Sequence, residues 1–404
     1  MCDVIVIGGG AAGCLAAGTA ARQGKDVLLL EKNERIGRKL MITGKGRCNF
    51  TNFSDVQNHI TNCPKNGIFL TNALYGFTAD DTIRFFEDYG VPSKVERGNR
   101  VFPESDRSGD IVFALRRFMN ENKVKIVKEN VKNLAKINGR FVILGNSGTR
   151  YNADSVIIAT GGKSYPITGS TGDGYRFAEK FGHHINFLKP SLVPIEVAES
   201  WVTEMQGLSL KNVEIKLLSS NQKILYKDFG EMLFTHYGVS GPVILSASSH
   251  IQDIRGIKLV IDLKPALDTT TLDKRLLREI DEYPSKLFHN LLKHLLPQKM
   301  ISVIVKLSGI DADRPAHSIR KEERKILLNL LKEMTMTLTC FRPLSEAIIT
   351  SGGVCVNEID PRSMESRLES HLFFAGEVID VDAYTGGYNL QIAFSTGYLA
   401  GLKA

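Results

Sequence analysis

Two glycine-rich stretches near the N-terminus carry the residue types that do chemistry. In DVIVIGGGAAGCLAAGTAARQGKDVLLLEKN, Gly8-x-Gly10-x-x-Gly13 follows the apolar run Val4 to Ile7. In GKGRCNFTN, Gly44 to Asn52, a lysine, an arginine, a cysteine and two asparagines crowd around glycines. The first spacing suits a pyrophosphate. Gly8 makes a tight turn, Gly10 lets backbone approach the phosphates, and Gly13 lets a helix sit close to the sheet. The Ala-rich helix that follows would offer unpaired N–H groups and a positive dipole end to an anion. Glu31 stands at the tip of a second strand-like run, Val27 to Leu30, 18 residues after Gly13. There it can accept from the ribose hydroxyls of an adenosine. Strand, glycine turn, helix and acid-tipped strand together predict a unit that binds an ADP-containing dinucleotide. They do not separate a nicotinamide from a flavin.

GKGRCNFTN admits three readings. A P-loop requires G-x4-G-K-[ST]; here Gly37 and Gly44 are separated by six residues, and Gly46 follows Lys45 where Ser or Thr should stand. That reading fails. A redox cysteine is the second: Lys45 and Arg47 beside Cys48 would lower its thiol pKa. The next cysteine, Cys63, is 15 residues away, so only a single reactive thiol is compatible with the spacing. The third is a cofactor strip. The loop leaves Glu31 as ERIGRKLMITGKGRCN. Its glycines allow close backbone approach, Arg38, Lys39, Lys45 and Arg47 supply positive charge, and Asn49 supplies polar contacts. This third reading fits the chain best.

The elements that must position these residues follow from pattern. TADDTIRFFEDYG reads as a helix capped by Thr78 and ended by Gly90. Ser108 is the expected cap of another helix, running to about Asn120. From Lys123 to Ala159 the chain reads as strands, with GNSG, Gly145 to Gly148, as a hairpin turn. A helix is expected within Thr171 to His183, with Asp173 in its first turn. Short strand-like runs fill 190–264, and 270–333 is helical in pattern, with Leu287, Leu291, Leu292 and Leu295 as one apolar stripe. Near the C-terminus, Leu372 to Ala375 reads as a strand. Asn389 to Leu402 reads as a helix whose start, after Thr385-Gly386-Gly387, is prepared for partial negative charge. No second strand–GxGxxG–helix unit with its own acid is found in the sequence, which argues against a dedicated NAD(P) domain.

The 404-residue chain is long enough for two or three domains. Its formal charge of +7 is mild and dispersed. It suits anionic ligands but not a nucleic-acid stripe, which needs clustered basic residues. Cys2, Cys14, Cys48, Cys63, Cys340 and Cys355 form no CxxC pair and no metal-ligand spacing with histidine, so free thiols of a cytoplasmic protein and no metal are expected. Strand-like sequence from Asp3 leaves no signal peptide to read, and no apolar run approaches the roughly 20 residues of a membrane span.

Several further segments carry a resemblance: RVFPESDRS, ATGGKSYPITGSTGDGY, GEMLFTHYGVSGPVIL, ITSGGV and FFAGEVIDVDAYTGGYNLQIAFSTG, together with ERIGRKLMITGKGRCNFTN. In order and along most of the chain, they resemble the YhiN/BaiN-like FAD-binding family, also labelled aminoacetone-oxidase-family oxidoreductases. The broader pattern is similar to the fumarate reductase and glutathione reductase flavoproteins. The resemblance implies an α/β fold: a Rossmann-like FAD-binding domain, 1–189 and 342–404, split by insertions. These are a β-barrel-like domain, 190–265 and 334–341, and a small helical subdomain, 266–333. It implies one non-covalent FAD. Gly8, Gly10, Ala11, Ala12 and Gly13 would then meet the pyrophosphate, with Glu31 and Lys32 at the adenosine ribose. Val131 would meet adenine through its backbone. Ala159, Thr160 and Gly161 would lie beside the ADP half, and Gly376 and Glu377 near the ribityl chain. Gly387, Asn389 and Leu390 would sit at the pyrimidine edge of the flavin. Arg38, Lys39, Gly44, Arg47, Cys48 and Asn49 complete the expected contacts.

The expected activity is an FAD-dependent oxidation or reduction of a small organic substrate, with NAD(P)H as a transient reductant. Family labels point both to oxidation of an amine such as aminoacetone and to reduction of a sterol-type alkene or ketone. His236, in FTHYGVSGP, and Tyr165, in GKSYP, are the candidate acids or bases. The competing class is a non-catalytic or RNA-associated flavoprotein related to the tRNA-modifying flavoproteins. The dispersed charge argues against it, so neither nucleic acid nor membrane is an expected partner.

Overall fold

The apolar run at the N-terminus forms the strand Cys2–Ile7, whose Val4, Ile5 and Val6 are wholly buried. Burying side chains of this size contributes about 1.5–3 kcal/mol each, which makes this strand the centre of its sheet. The computed structural model describes residues 2–404. They divide into one unit that runs to Ser191 and resumes at Pro343–Ala404, and a second, Leu192–Arg342.

The first unit is built on a seven-stranded sheet. Cys2–Ile7 pairs in parallel with Val27–Glu31 on one side (Val4 opposite Val27) and with Arg150–Ile158 on the other (Ile7 opposite Ile158). Lys125–Lys128 extends the first edge in parallel. Arg150–Ile158 is shared: its N-terminal half pairs with the hairpin strand Arg140–Gly145, and its C-terminal half in parallel with Leu372–Phe374. The last segment of the chain thus returns beside the first. The helices Ala11–Arg22 and Tyr388–Lys403 then pack closely. A Cβ on Gly397 would lie 2.4 Å from the Ala12 carbonyl oxygen, and one on Gly401 would lie 2.3 Å from that of Ala16. Only glycine permits backbones this near.

Several local readings hold. Thr78 caps Ala79–Asp88 in a reciprocal capping box with Asp81. Asp173 opens the helix Asp173–Lys180. Ser108 does something else. The cap position is Arg107, and the Ser108 hydroxyl donates to the Met41 carbonyl at 2.8 Å, tying this helix to Arg38–Ile42.

In the second unit, six strands close a barrel in the order Ile195–Val197, Gly238–Ser240, Ile224–Phe234, Ser209–Leu218, Lys258–Asp262 and Met334–Phe341. The helical stretch is broken into Thr269–Glu282, Phe288–Leu291, Gln298–Ser308 and Lys321–Lys332. Their buried leucines, Leu276 and Leu327 among them, join the barrel residues Ile215 and Met336 in one apolar cluster. Among the described residues no helix is long and apolar enough to cross a membrane.

Candidate dinucleotide site

The three glycines of the fingerprint have different reasons to be glycine. Gly8 has φ +107°, and a Cβ there would lie 2.5 Å from the Ala159 carbonyl oxygen. A Cβ on Gly13 would fall 1.9 Å from the Gly8 carbonyl oxygen, so the helix could not approach the strand. Gly10 is the opposite case. A Cβ there meets nothing within 4 Å, because its open side faces a cavity. Gly10 is also the cap of the first helix and has no side chain to satisfy the helix N–H groups. Those donors are left for a ligand.

The cavity is walled by residues from distant parts of the sequence, Gly8 to Ala12, Glu31 to Asn33, Glu129 to Val131, Ala159 to Gly161, Ile348 to Ile349, Ala375 to Glu377, and Asn389 to Leu390. Glu31, 8% exposed, is held rigidly. Its Oε2 accepts from the Gly9 N–H at 2.7 Å, and its Oε1 accepts from the Asn33 N–H at 2.8 Å and Asn33 Nδ2 at 2.7 Å. A carboxylate offers about four acceptor sites, which leaves room for a ribose hydroxyl. Next to it, Lys32 Nζ donates to Asp173 Oδ2 at 2.7 Å, and the Glu129 N–H bonds the Glu31 carbonyl at 2.8 Å. The hairpin carrying Val131 is thereby joined to the same end.

The other end is polar and charged. Lys39 Nζ donates to Glu377 Oε2 at 2.6 Å and to Ser164 Oγ at 2.7 Å. Glu377 Oε1 accepts from Ser164 Oγ and from the Thr350 N–H, both at 2.8 Å. Gly376 lies against the first helix: a Cβ there would be 2.9 Å from that of Ala12. Beyond it begins the C-terminal helix, with Gly387 at φ +101° as its cap.

Of the residues singled out in sequence, Gly8, Gly10, Ala11, Ala12, Glu31, Lys32, Arg38, Lys39, Val131, Ala159, Thr160, Gly161, Gly376, Glu377, Asn389 and Leu390 line this cavity. Gly13 packs beneath the turn, and Gly387, expected at the flavin edge, is not in the wall but packs on Thr51, where a Cβ would lie 2.2 Å from the carbonyl oxygen. Asn389 lines the wall with its side chain already engaged. Its Oδ1 accepts from the Ala383 N–H at 2.9 Å and its Nδ2 donates to the Ala383 carbonyl at 2.7 Å. Both Nδ2 hydrogens are used, the second toward the Tyr384 carbonyl at 3.3 Å, which leaves a ligand the backbone and one acceptor site on Oδ1.

GKGRCNFTN departs from its reading as a cofactor strip. Gly44, Arg47, Cys48 and Asn49 do not line the cavity. Lys45 and Cys48 both have positive φ, 58° and 61°, and fold the loop back on itself. Arg47 is carried to Glu96 and to Asp106, whose Oδ1 accepts from Nε at 2.7 Å, with the guanidinium 4.2 Å from the Phe102 ring centre. Cys48 is wholly buried, and burial pushes its thiol up to about 12, the reverse of the activation expected from neighbouring cations. Tyr165 is half-buried with φ +50° and adjoins Ser164, but is not in the wall. His236 is exposed on the barrel unit, edge-on to Tyr237 at 4.7 Å.

Sequence reading missed Asn33, Glu129, Thr168 to Ser170, Ile348 and Ile349. Asn33 was readable by its place two residues after Glu31. Glu129, Ile348 and Ile349 reach the wall through strand pairing and hairpin closure, and Thr168 to Ser170 through a turn whose Thr168 carbonyl accepts from Asn33 Nδ2 at 3.1 Å; no local spacing announces either.

The donor set fits an FAD. The phosphate turn has its open glycine, the ribose end its carboxylate, and Thr160 Oγ1, at the wall, is buried without a hydrogen-bond partner.

Comparison with known proteins agrees with the architecture. The chain is 33% identical over 406 residues to the 3-dehydro-bile acid delta(4,6)-reductase of Clostridium scindens, covering 99% of this chain and 98% of that protein. It is 32% identical over 408 residues to the ribosomal RNA dihydrouridine synthase of Haemophilus influenzae, covering 99% and 97%. Among solved structures, the 3-ketosteroid-delta4-(5alpha)-dehydrogenase of Rhodococcus jostii RHA1 matches with a TM-score of 0.51 at 16% identity, covering 100% of this chain and 95% of that one. That last likeness is one of fold, the Rossmann-type FAD-binding architecture. Residues 2–403 match the model of the HI0933-like protein Rossmann domain, and the chain belongs to that family.

Proposed function

We propose that the protein is an FAD-dependent reductase that adds two hydrogens across a carbon–carbon double bond conjugated to a carbonyl. The observation that carries the cofactor assignment is the open face of Gly10 at an uncapped helix start, in a cavity that reaches Asn389 and Leu390 in the first turn of the C-terminal helix. The reaction class rests on the relatives. A delta(4,6)-reductase of a 3-dehydro bile acid and a dihydrouridine synthase, as named, both saturate an alkene next to a carbonyl.

A bound FAD supplies hydride transfer and two-electron storage. The chain's part is binding, orientation and charge. The first helix and Glu31 hold the ADP half. The start of Tyr388–Lys403 has backbone N–H groups and a positive dipole end that would favour negative charge on the pyrimidine edge of a reduced flavin. Tyr165 is the proposed proton donor to substrate. A phenol is protonated at neutral pH, and burial, then the charge of Glu346, raises its pKa further. His236 is the alternative donor. A nicotinamide dinucleotide is the proposed reductant, binding transiently.

A second reading is favoured by the Haemophilus relative, in which the alkene belongs to a uridine within RNA. One anaerobic experiment separates the possibilities. The purified protein is checked for the FAD spectrum and bleached with NADH or NADPH. A 4-ene-3-ketosteroid, a uridine-containing RNA and O₂ are then offered in turn. Reoxidation by the enone without O₂ is expected. Reoxidation only by the RNA selects the second reading. Bleaching by aminoacetone with reoxidation only by O₂ makes the protein an oxidase. A colourless protein unable to take up FAD overturns the whole assignment.

A further inference from the structure

GKGRCNFTN misses the cavity, yet its last two residues reach the start of the C-terminal helix. Thr51 and Asn52 form a short strand, paired with Val101 and Arg100, and are 0% and 2% exposed. Asn52 Nδ2 donates to the Gly386 carbonyl and to the Gly98 carbonyl, both at 2.9 Å. Thr51 Oγ1 donates to Gln391 Oε1 at 2.6 Å. Gly387 lies so close that a Cβ would sit 2.2 Å from the Thr51 carbonyl oxygen and 2.9 Å from the Asn52 nitrogen. The clasp is itself backed by a buried histidine. His59 Nε2–H donates to the Asn52 carbonyl at 3.0 Å, and its ring stands edge-on to Tyr388, centres 5.1 Å apart. Gln391 is fixed in turn, with Nε2 donating to the Phe77 carbonyl and to Ser395 Oγ, both at 3.0 Å.

We infer that Thr51 and Asn52 are positioning residues that set the direction of the Tyr388–Lys403 helix start toward the flavin, and so tune its reduction potential. The inference rests on the proposed placement of that helix start at the pyrimidine edge. The physical reason is that a helix terminus acts over its first turn only. A small rotation of the Thr385–Gly387 turn then changes how its N–H groups meet developing charge. The side chains that resist this rotation are the Asn52 amide, on the turn itself, and the Thr51 hydroxyl, one helical turn further on. Both are buried, and neither touches the cavity. This gives the motif a purpose that its cations and its cysteine do not supply.

The test is the midpoint potential of the bound flavin in the holoprotein. Thr51→Val is isosteric and removes the hydroxyl; Thr51→Ser keeps it. Asn52→Asp keeps the shape but places acceptors against the Gly386 and Gly98 carbonyls. Thr51→Val and Asn52→Asp are expected to shift the oxidised/reduced equilibrium about tenfold toward the oxidised form, a fall of about 30 mV for a two-electron couple. Thr51→Ser is expected to stay at the wild-type value. Lowered melting temperature with unchanged potential in Thr51→Val and Asn52→Asp overturns the inference, because it leaves these residues a purely structural role. If Asn52→Asp does not fold, the Thr51→Val and Thr51→Ser pair decides alone. Asn389→Asp distinguishes the two levels of the argument, since it places a carboxylate at the helix start directly. A fall in potential there, with none in the clasp variants, removes the clasp and keeps the helix start at the flavin. No change in any of them removes both.

Discussion

Lys39 Nζ lies 2.6 Å from Glu377 Oε2, joining two residues 338 positions apart in the sequence at one wall of the cavity. Their side chains are 28% and 13% exposed. The Glu377 carboxylate also accepts from Ser164 and Thr350, so all its partners are fixed. Removing one member leaves the other charge partly buried and unpaired. Lys39→Met and Glu377→Gln are each expected to cost about 2 kcal/mol, measured by urea unfolding. The double variant should cost clearly less than the sum, since the stranded charge is then gone. Simple additivity in the cycle would show that the two residues do not act as a pair.

Gly10 and Gly13 should separate binding from folding. At Gly10 the backbone has φ −85°, which any residue adopts, and a Cβ points into open space. Gly10→Val should leave apo stability within about 0.5 kcal/mol while abolishing retention of FAD through purification. Gly13→Ala puts a methyl 1.9 Å from the Gly8 carbonyl oxygen. It should destabilise the apoprotein by about 3 kcal/mol or more. Yellow, FAD-saturated Gly10→Val protein would mean that the pyrophosphate passes elsewhere.

The contrast between these glycines and GKGRCNFTN shows what was legible in the sequence. The fingerprint could be read because each of its residues acts on a neighbour within one strand–turn–helix unit. Glu31 could be read because the next parallel strand must end beside the first. Lys39 lines the cavity, but its pairing with Glu377 is not legible in the sequence, since only the return of Leu372–Phe374 to the sheet brings Glu377 there. Arg47 and Cys48 were misplaced because positive charge and glycine imply a ligand only if the loop faces one. The left-handed backbone at Lys45 and Cys48 turns it away. The six-stranded barrel is legible from pattern only as strands, and as a barrel only through the family resemblance, because its closure depends on the pairing of Ile195–Val197 with Met334–Phe341 across the whole insertion.

Cys48 should therefore be chemically quiet. Its thiol is wholly buried and held protonated by that burial. A thiol reagent added to native protein should label the exposed Cys340 and leave Cys14, Cys48 and Cys63 untouched until denaturant is added. Cys48→Ser should keep wild-type flavin turnover while losing about 1–3 kcal/mol for the buried hydroxyl. Arg47→Ala should likewise leave FAD affinity unchanged, because its carboxylate partners stand outside the cavity wall. Loss of turnover in Cys48→Ser at full FAD occupancy would restore the redox-thiol reading.

Stability should fall on mild acidification, and the sign follows from three histidines, His59 and His183 buried and His250 half-buried. Burial lowers the pKa of His59, of His183 and of His250; the Asn52 carbonyl, Glu358 and Asp228 respectively oppose the shift without reversing it. Below the ordinary value of 6.5 the unfolded chain takes up protons that the folded chain refuses. Each such group therefore removes stability as pH falls through 6.5, at up to about 1.4 kcal/mol per pH unit. The contribution is fully present above 6.5. Carboxylates with lowered pKa, such as Glu129 and Asp173, lose their stabilisation only below about 4.5. The buried Asp382 works in the opposite sense, since its raised pKa favours the folded state at low pH. Between pH 6.5 and 5.5 the histidines should dominate, and the melting temperature of the apoprotein should drop steadily. His183 is the most informative single position. Its Nδ1 meets Glu358 at 3.1 Å, its Nε2 meets Ser366 Oγ at 2.8 Å, and its ring packs edge-on to Phe374. His183→Gln should lower stability at every pH through lost packing, yet flatten the slope between 6.5 and 5.5. A variant with the wild-type slope would assign the acid sensitivity to the other two histidines.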